Sequence, residues 1–390
     1  MASSQLALHG APVEPMRSND RAVHHGRWSW HLGSLFGIEV RVHATFVMLL
    51  AWVALSHVMH GHDVSLALGG VAYILAVFAI VVLHELGHAL TARRFGIATR
   101  DITLLPIGGV ARLERMPTKP SQELLVAIAG PAVNVALAVL LFGVLSAMGA
   151  ASDVGQLSIV GGPLVAKLMW TNVGLAVFNL LPAFPMDGGR VLRALVALRT
   201  DYLRATDIAA TVGQAVALVF GLVGLFSNPF LVFIAFFVWV GAQEEAAMVH
   251  VRASLAGVPV AGAMIPDVAT VAPTQPLSDV VKHMLAGFQD DLPVVDDGAL
   301  VGVVGRTEVL RGATEGNANA PVSSVMVRTV PTVRETDPLD TALDRLQESG
   351  RRSIPVVRDG LLVGMLPVEN VAYLLQVRER ARTTAAHGRL

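Results

Sequence analysis

The chain contains no cysteine, which excludes disulfide frameworks, thiol nucleophiles, iron–sulfur clusters and Cys-ligated zinc. Any metal must therefore be held by His, Asp or Glu. Charge is also scarce: only 15% of the 390 residues are Asp, Glu, Lys or Arg, where a soluble domain carries roughly a quarter. The 29 basic and 30 acidic residues leave a net charge of -1, so neither sign is in enough excess to draw the chain to nucleic acid or anionic lipid. The scarcity is uneven. Residues 1–250 hold 29 of the charged side chains and residues 251–390 the other 30, so only the shorter part is composed like a soluble domain.

What fills the longer part is apolar. Residues 42–62, 64–84, 124–152 and 168–186 are uncharged, each near the roughly 20 residues that cross a bilayer as helix. A fifth uncharged stretch, 208–243, is too long for one span and is broken at Ser227, Asn228 and Pro229, which predicts a helical hairpin and six spans in all. Residues 1–41 carry Arg17, Arg21, Arg27 and Arg41 with no apolar run after an early basic cluster, so they read as a polar tail, not a cleavable signal. Lys and Arg are absent near His57, between residues 146 and 162, and at Asn228. They crowd the alternate loops, as Arg93, Arg94, Arg100, Arg112, Arg115 and Lys119 in one and Arg190, Arg193, Arg199 and Arg204 in the other. By the positive-inside rule both termini are cytoplasmic in a multi-pass cell-membrane protein.

From Met264 onward the sequence repeats at an offset of 62 residues: Met264 matches Met326, Pro293-Val294-Val295 matches Pro355-Val356-Val357, and Leu300-Val301-Gly302 matches Leu362-Val363-Gly364. Each unit reads as helix, short strand, Asp-Gly turn (Asp297-Gly298 or Asp359-Gly360), strand and helix, a small α/β module. These units resemble the paired cystathionine-beta-synthase (CBS) domains.

The chemistry concentrates in two clusters. His84-Glu85-Leu86-Gly87-His88 lies near the cytoplasmic end of the second span, where helical spacing puts both imidazoles on one face to grip a zinc ion with Glu85 beside its water. The bland alternative is an inert helix end whose polar residues reach the headgroups. Against it, a Glu flanked by two His inside an apolar helix is costly, and such residues are functional by default. Asn179-Leu180-Leu181-Pro182-Ala183-Phe184-Pro185-Met186-Asp187-Gly188-Gly189 closes the fourth span, which also runs inward and so ends at the same depth. It offers Asp187 as a third ligand; two His, one carboxylate and an open position suit a peptidase. The alternative there is a plain cytoplasmic turn. His57, His60 and His62 cluster in the first outer loop and read as solvated, with metal binding as the alternative.

Together the two clusters resemble the site-2 protease family of intramembrane zinc metalloproteases, whose motifs are an HExxH helix and a downstream Asn-x-x-Pro-x-x-Pro-x-Asp-Gly segment. The likeness extends to Gly130-Pro131-Ala132-Val133-Asn134 and Pro106-Ile107-Gly108-Gly109, and is greatest to the six-span, CBS-bearing branch. The resemblance implies that His84, His88 and Asp187 bind one Zn2+ per chain and that Glu85 is the general base. Asn179 falls on the motif's Asn and would hold the substrate backbone or the oxyanion. Asn134 and Asn172 read as interhelical hydrogen bonds worth about 1 kcal/mol.

The expected architecture is an α-helical polytopic membrane domain of six transmembrane helices with a short membrane-associated β-hairpin, followed by a soluble α/β tandem CBS module. Its parts are an N-terminal cytoplasmic tail (1–41), a six-span metalloprotease domain (42–250), CBS units (251–318 and 319–378) and a C-terminal tail (379–390). The hairpin is read from residues 102–114, split by Gly108-Gly109, whose open edge would take the substrate as an added strand; an ordinary linker is the alternative. The family implies an endopeptidase cutting in or near the transmembrane segment of a membrane-bound regulator, with the CBS pair regulating or dimerising. CBS pairs often bind adenine nucleotides through a Thr and an Asp. Here Gly305 and Pro367 stand at the Thr position and Glu308 and Asn370 at the Asp position, which leaves the nucleotide contacts unassigned. Two other classes compete: a CBS-gated channel or transporter, which predicts polar groups along a whole path, and a non-catalytic metal-binding scaffold, which would not need Glu85.

Overall fold

The structure, a computed structural model, describes residues 28–59, 64–106, 108–113, 117, 119–149, 164–287, 289–314 and 319–387. It opens with two strands, β1 (Ser29–Leu35) and β2 (Ile38–His43), joined at Phe36-Gly37, where φ is positive at both residues (53° and 83°). That is the turn geometry whose twist matches a right-handed hairpin. Helices α1 (Ala44–Met59) and α2 (Val64–Arg93) then carry the chain to β3 (Thr99–Leu105) and β4 (Gly108–Leu113). The sheet order is β1-β2-β3-β4; β2 pairs parallel with β3, and β3 antiparallel with β4, with Thr103 opposite Val110. One face of this sheet, Ile38, Val40, Val42, Ile102 and Leu104, packs on Phe46, Phe78, Val82, Leu86 and Ala89 of α1 and α2.

Part of the expected N-terminal tail is therefore built into the fold. Within residues 29–41, β1 pairs with β2 across the Phe36-Gly37 turn, and β2, whose alternating apolar side chains are buried, finds its other partner in β3, beyond two helices. Local sequence cannot display such a pairing. The rest of that tail, residues 1–27, lies outside the described residues, as do His60, His62, Ile107, Glu114 and Arg115.

The remaining helices of this part are α3 (Pro120–Ala147), α4 (Leu164–Asn179), α5 (Asp187–Ala197), α6 (Tyr202–Ser227) and α7 (Pro229–Leu255). Among the described residues, α2, α3, α6 and α7 are long and apolar enough to cross a membrane, while α1 and α4 are apolar but 16 residues each. The break between α6 and α7 has a local cause. Asn228 accepts the Phe230 N–H through its side chain (2.9 Å), and Pro229 takes the first helical position, where no N–H is required. Phe230, Phe233 and Phe236 on α7 and Leu218, Leu222 and Leu225 on α6 are exposed, an apolar surface suited to lipid.

The repeat region comprises α8 (Leu277–Ala286), β5 (Asp291–Asp296), β6 (Ala299–Gly305), α9 (Arg306–Thr314), α10 (Leu339–Ser349), β7 (Ser353–Arg358), β8 (Leu361–Pro367) and α11 (Val368–His387). The Asp-Gly turns have positive φ at both positions, 47° and 82° in the first, 51° and 83° in the second. The four strands form one sheet, β5-β6-β8-β7. The cores are exchanged. Val258, Val260 and Ala263, which precede the first repeat's helix, pack with Leu339, Leu346 and Ile354 of the second, whereas Ala320, Val322 and Met326 pack with Leu277, Leu292 and Val294 of the first. Helix α11 runs to His387, through most of the residues expected as a C-terminal tail.

Leu255, the last residue of α7, is fully buried in the core built on β7 and β8. Leu255→Ala should destabilise this module by about 2–5 kcal/mol, read as a lower denaturant midpoint by circular dichroism of the full chain in detergent.

Candidate metal centre

Helix α2 has 30 residues, and roughly the first 20 exhaust the thickness of a hydrocarbon layer. His84 and His88 stand at the far end of that length, one turn apart. Both are buried, at 7% and 6% exposure, and their Nε2 atoms are 3.1 Å apart. Asp187, 8% exposed, is the first residue of α5, where the helix N-terminus favours a negative charge. Its Oδ2 lies 3.2 Å from His84 Nε2 and 3.1 Å from His88 Nε2. Among the described residues one group of His, Asp or Glu side chains is arranged to hold an ion, and it is this one.

The ring tautomers follow from what lies behind them. The Val126 carbonyl can only accept, so His88 Nδ1 carries the proton of their 2.7 Å hydrogen bond. Leu168 O likewise accepts from Asn172 Nδ2 (2.9 Å), Asn172 Oδ1 from Asn134 Nδ2 (3.1 Å), and Asn134 Oδ1 from His84 Nδ1 (2.5 Å). Both Nε2 atoms are then lone-pair bearers, turned toward each other and toward a carboxylate oxygen. Three such atoms at this separation repel, and a cation among them would relieve that repulsion. A tetrahedral ion with bonds of about 2.0 Å has ligand atoms about 3.3 Å apart, close to the spacing seen here.

A glycine leaves room between the imidazoles. A Cβ on Gly130 of α3 would lie 2.2 Å from His88 Nε2 and 2.6 Å from His84 Nε2, so the absence of a side chain there leaves the space between the imidazoles open. Glu85 is half-buried, with its Cγ against Gly109 of β4, where a Cβ would come within 2.9 Å. Asn179, the last residue of α4, is half-buried. The hydrogen bonds that reach the imidazoles come instead from Asn134, with Asn172 behind it, and from Val126. The sequence favours an interhelical role for those two asparagines, with Asn172 also on the helical face of Asn179; they do bond across helices, and their chain ends on the His84 ring. The signal available was Asn134 in the Gly130-Pro131 stretch of an otherwise apolar helix.

Both parts of the chain are similar to known proteins. The family profile for Peptidase family M50 matches residues 72–161 and 155–220, and the CBS domain profile matches residues 260–315 and 322–376. Over 353 residues the chain is 33% identical to a zinc metalloprotease of Methanocaldococcus jannaschii, covering 90% of this chain and 97% of the relative. The chain belongs to peptidase family M50, the site-2 proteases. It is a zinc metallopeptidase of that type, and its apolar helices make it a multi-pass membrane protein with a C-terminal CBS pair. It is also 27% identical to stage IV sporulation protein FB of Bacillus subtilis over 186 residues, 46% of this chain and 61% of that one. A solved site-2 protease from Methanocaldococcus jannaschii is 37% identical, with a TM-score of 0.41, covering 56% of this chain and 95% of that one.

In the CBS module of this site-2 protease, the residues at the expected Asp positions are already engaged. Glu308 accepts from the Gly305 N–H (3.0 Å) and from Arg351 Nη2 (2.9 Å), and Asn370 Nδ2 donates to Ala263 O (3.0 Å). Arg351 also donates to Asp291 (3.0 Å), which joins the two repeats.

The Gly130 cradle makes a sharp prediction for the metal centre. Gly130→Ala improves helix propensity yet puts a methyl group where the ion belongs, so the purified variant should fold with native helix content and retain almost no zinc by elemental analysis.

Proposed function

We propose that this site-2 protease is an intramembrane endopeptidase that hydrolyses a peptide bond in or near the transmembrane segment of a membrane-bound regulator, such as an anti-sigma factor or a precursor sigma factor, and so releases it. The observation that carries this reading is the convergence of His84, His88 and Asp187 at the end of a membrane-length helix, with Glu85 next in sequence to one of them. In this reading the three are the zinc ligands, one ion per chain. The chemistry zinc supplies at such a site is an acidified water and a polarised carbonyl. Glu85 takes up the proton released as water attacks and delivers it to the leaving amine. Asn179 donates to the substrate backbone or the developing oxyanion. Asn134 and Val126 hold the ring planes, so the imidazoles keep facing Asp187.

Six apolar helices serve as spans, α1, α2, α3, α4, α6 and α7, with both termini cytoplasmic and residues 42–250 as the protease domain. At 16 residues, α1 and α4 extend about 24 Å, short of the roughly 30 Å hydrocarbon core. A locally thinned layer around them brings water to the depth of the metal centre. The substrate, unwound from its helix, adds as a strand to β4, the terminal strand of its sheet, whose Gly109 touches Glu85. The CBS pair acts as a regulatory or dimerisation module. Supporting that role, α7 is one uninterrupted helix from the membrane domain into the CBS core at Leu255, flanked by the Arg252–Asp344 ion pair (3.3 Å).

Co-expression with candidate single-span regulators tests the mechanism. Glu85→Gln should keep its zinc while cleavage falls by about 10²–10⁴-fold; a variant that cuts as well as the parent would remove Glu85 from the reaction. For strand addition, a proline scan along Gly108–Leu113 should suppress cleavage without loss of zinc at alternate positions, where the lost N–H is the outward one of the edge strand and not the one facing β3. Intact cleavage at every position would exclude that mode of binding.

A further inference from the structure

Arg193 lies on α5 less than two turns beyond Asp187 and is fully buried. Its Nε donates to Glu123 Oε1 of α3 at 2.8 Å, its Nη2 bonds the same oxygen, and its Nη1 donates to Glu245 Oε1 of α7 at 2.6 Å. Its Cζ sits 5.0 Å from the ring centres of both Phe184, in the loop before Asp187, and Tyr202 of α6. Burial acts against the charge, but Glu123 foremost, with Tyr202 and Glu245, holds the guanidinium above its ordinary pKa. One side chain thus joins α3, α5, α6, α7 and the motif loop.

Such a cluster is weak evidence for stability, because desolvating three charges consumes about what their attraction returns. What it supplies is position. Two of the helices it ties carry parts of the metal centre and its supports: α3 bears Val126, Gly130 and Asn134, and α5 begins at Asp187. On α7, Gly241 lies so close to Pro185 of the motif loop that a Cβ would come within 2.6 Å of Pro185 Cδ. Nothing in the zinc chemistry itself uses Arg193, which touches neither imidazole.

Resting on the zinc reading above, we propose that Arg193 is a positioning residue for the metal centre: by bridging Glu123 and Glu245 it sets the rotation and height of α5, and so where Asp187 Oδ2 stands relative to His84 and His88. The required precision is high, since zinc–ligand distances tolerate only about 0.2 Å. The planar guanidinium fork serves both carboxylates at once, which a single ammonium does not.

The test uses the full-length protein in detergent, with zinc affinity from chelator competition and the visible d–d spectrum of the Co2+-substituted form, which reports ligand geometry independently of activity. Arg193→Lys and Glu245→Gln should fold like the parent by circular dichroism, bind zinc about 10–100-fold more weakly, and show a shifted d–d spectrum. Arg193→Gln should show a larger loss. If Arg193→Gln does not fold, Glu245→Gln, which alters a half-exposed partner and leaves the Glu123 arm intact, carries the test. Parental affinity and spectrum in folded Arg193→Lys and Glu245→Gln would overturn the proposal. Failure of the unaltered chain to bind one equivalent of metal would instead overturn the zinc reading, and the proposal with it.

Discussion

Two imidazole nitrogens and one carboxylate oxygen stand within 3.1–3.2 Å of one another, an arrangement suited to a cation. The surrounding protein is organised to keep it so. Backbone carbonyls at Val126 and Leu168, which can accept but never donate, terminate both hydrogen-bond chains and so dictate where the protons on His84 and His88 must be. Gly130 keeps the centre clear, and Asp187 is delivered by the first turn of a helix packed between α3 and α6.

The apolar surroundings explain why these polar groups are gathered together. In a lipid-facing domain with few charges, each buried polar atom needs an internal partner. Many of these partners gather near the C-terminal end of α2: His84, His88 and Asp187 with Asn134 and Asn172 behind them, and Arg193 between Glu123 and Glu245; the Tyr73–Thr171 hydrogen bond (2.7 Å) stands three turns earlier on the same helix. The four-stranded sheet lies beside that same end, packed on the second half of α2 through Val82, Leu86 and Ala89.

The soluble part shows how covalent order and spatial order differ. The sequence repeats without a gap, yet each core takes its leading segment from the other repeat, so neither unit closes without its partner. The Arg351–Asp291 pair, with Ser353 donating to the same carboxylate, ties the repeats again, between the starts of the two outer strands β5 and β7. Because α7 ends inside one of these cores, the membrane domain and the CBS pair share a structural member.

Much was legible from local chemistry. The i, i+4 histidines, the run of apolar segments, the break at Asn228-Pro229 and the Asp-Gly turns each follow from residues adjacent in sequence, and adjacency is all that periodicity, capping and turn propensity require. Asp187 was a candidate because helix direction placed it at the right depth. What tertiary structure alone decided are pairings across long separations: β2 beside β3, Asn134 behind His84, Gly130 between the imidazoles, Arg193 between two carboxylates, and the exchange of leading segments between repeats. Such contacts depend on how helices rotate and cross once packed. No local pattern encodes that choice, because the free energy selecting it belongs to the assembled core and not to any one segment.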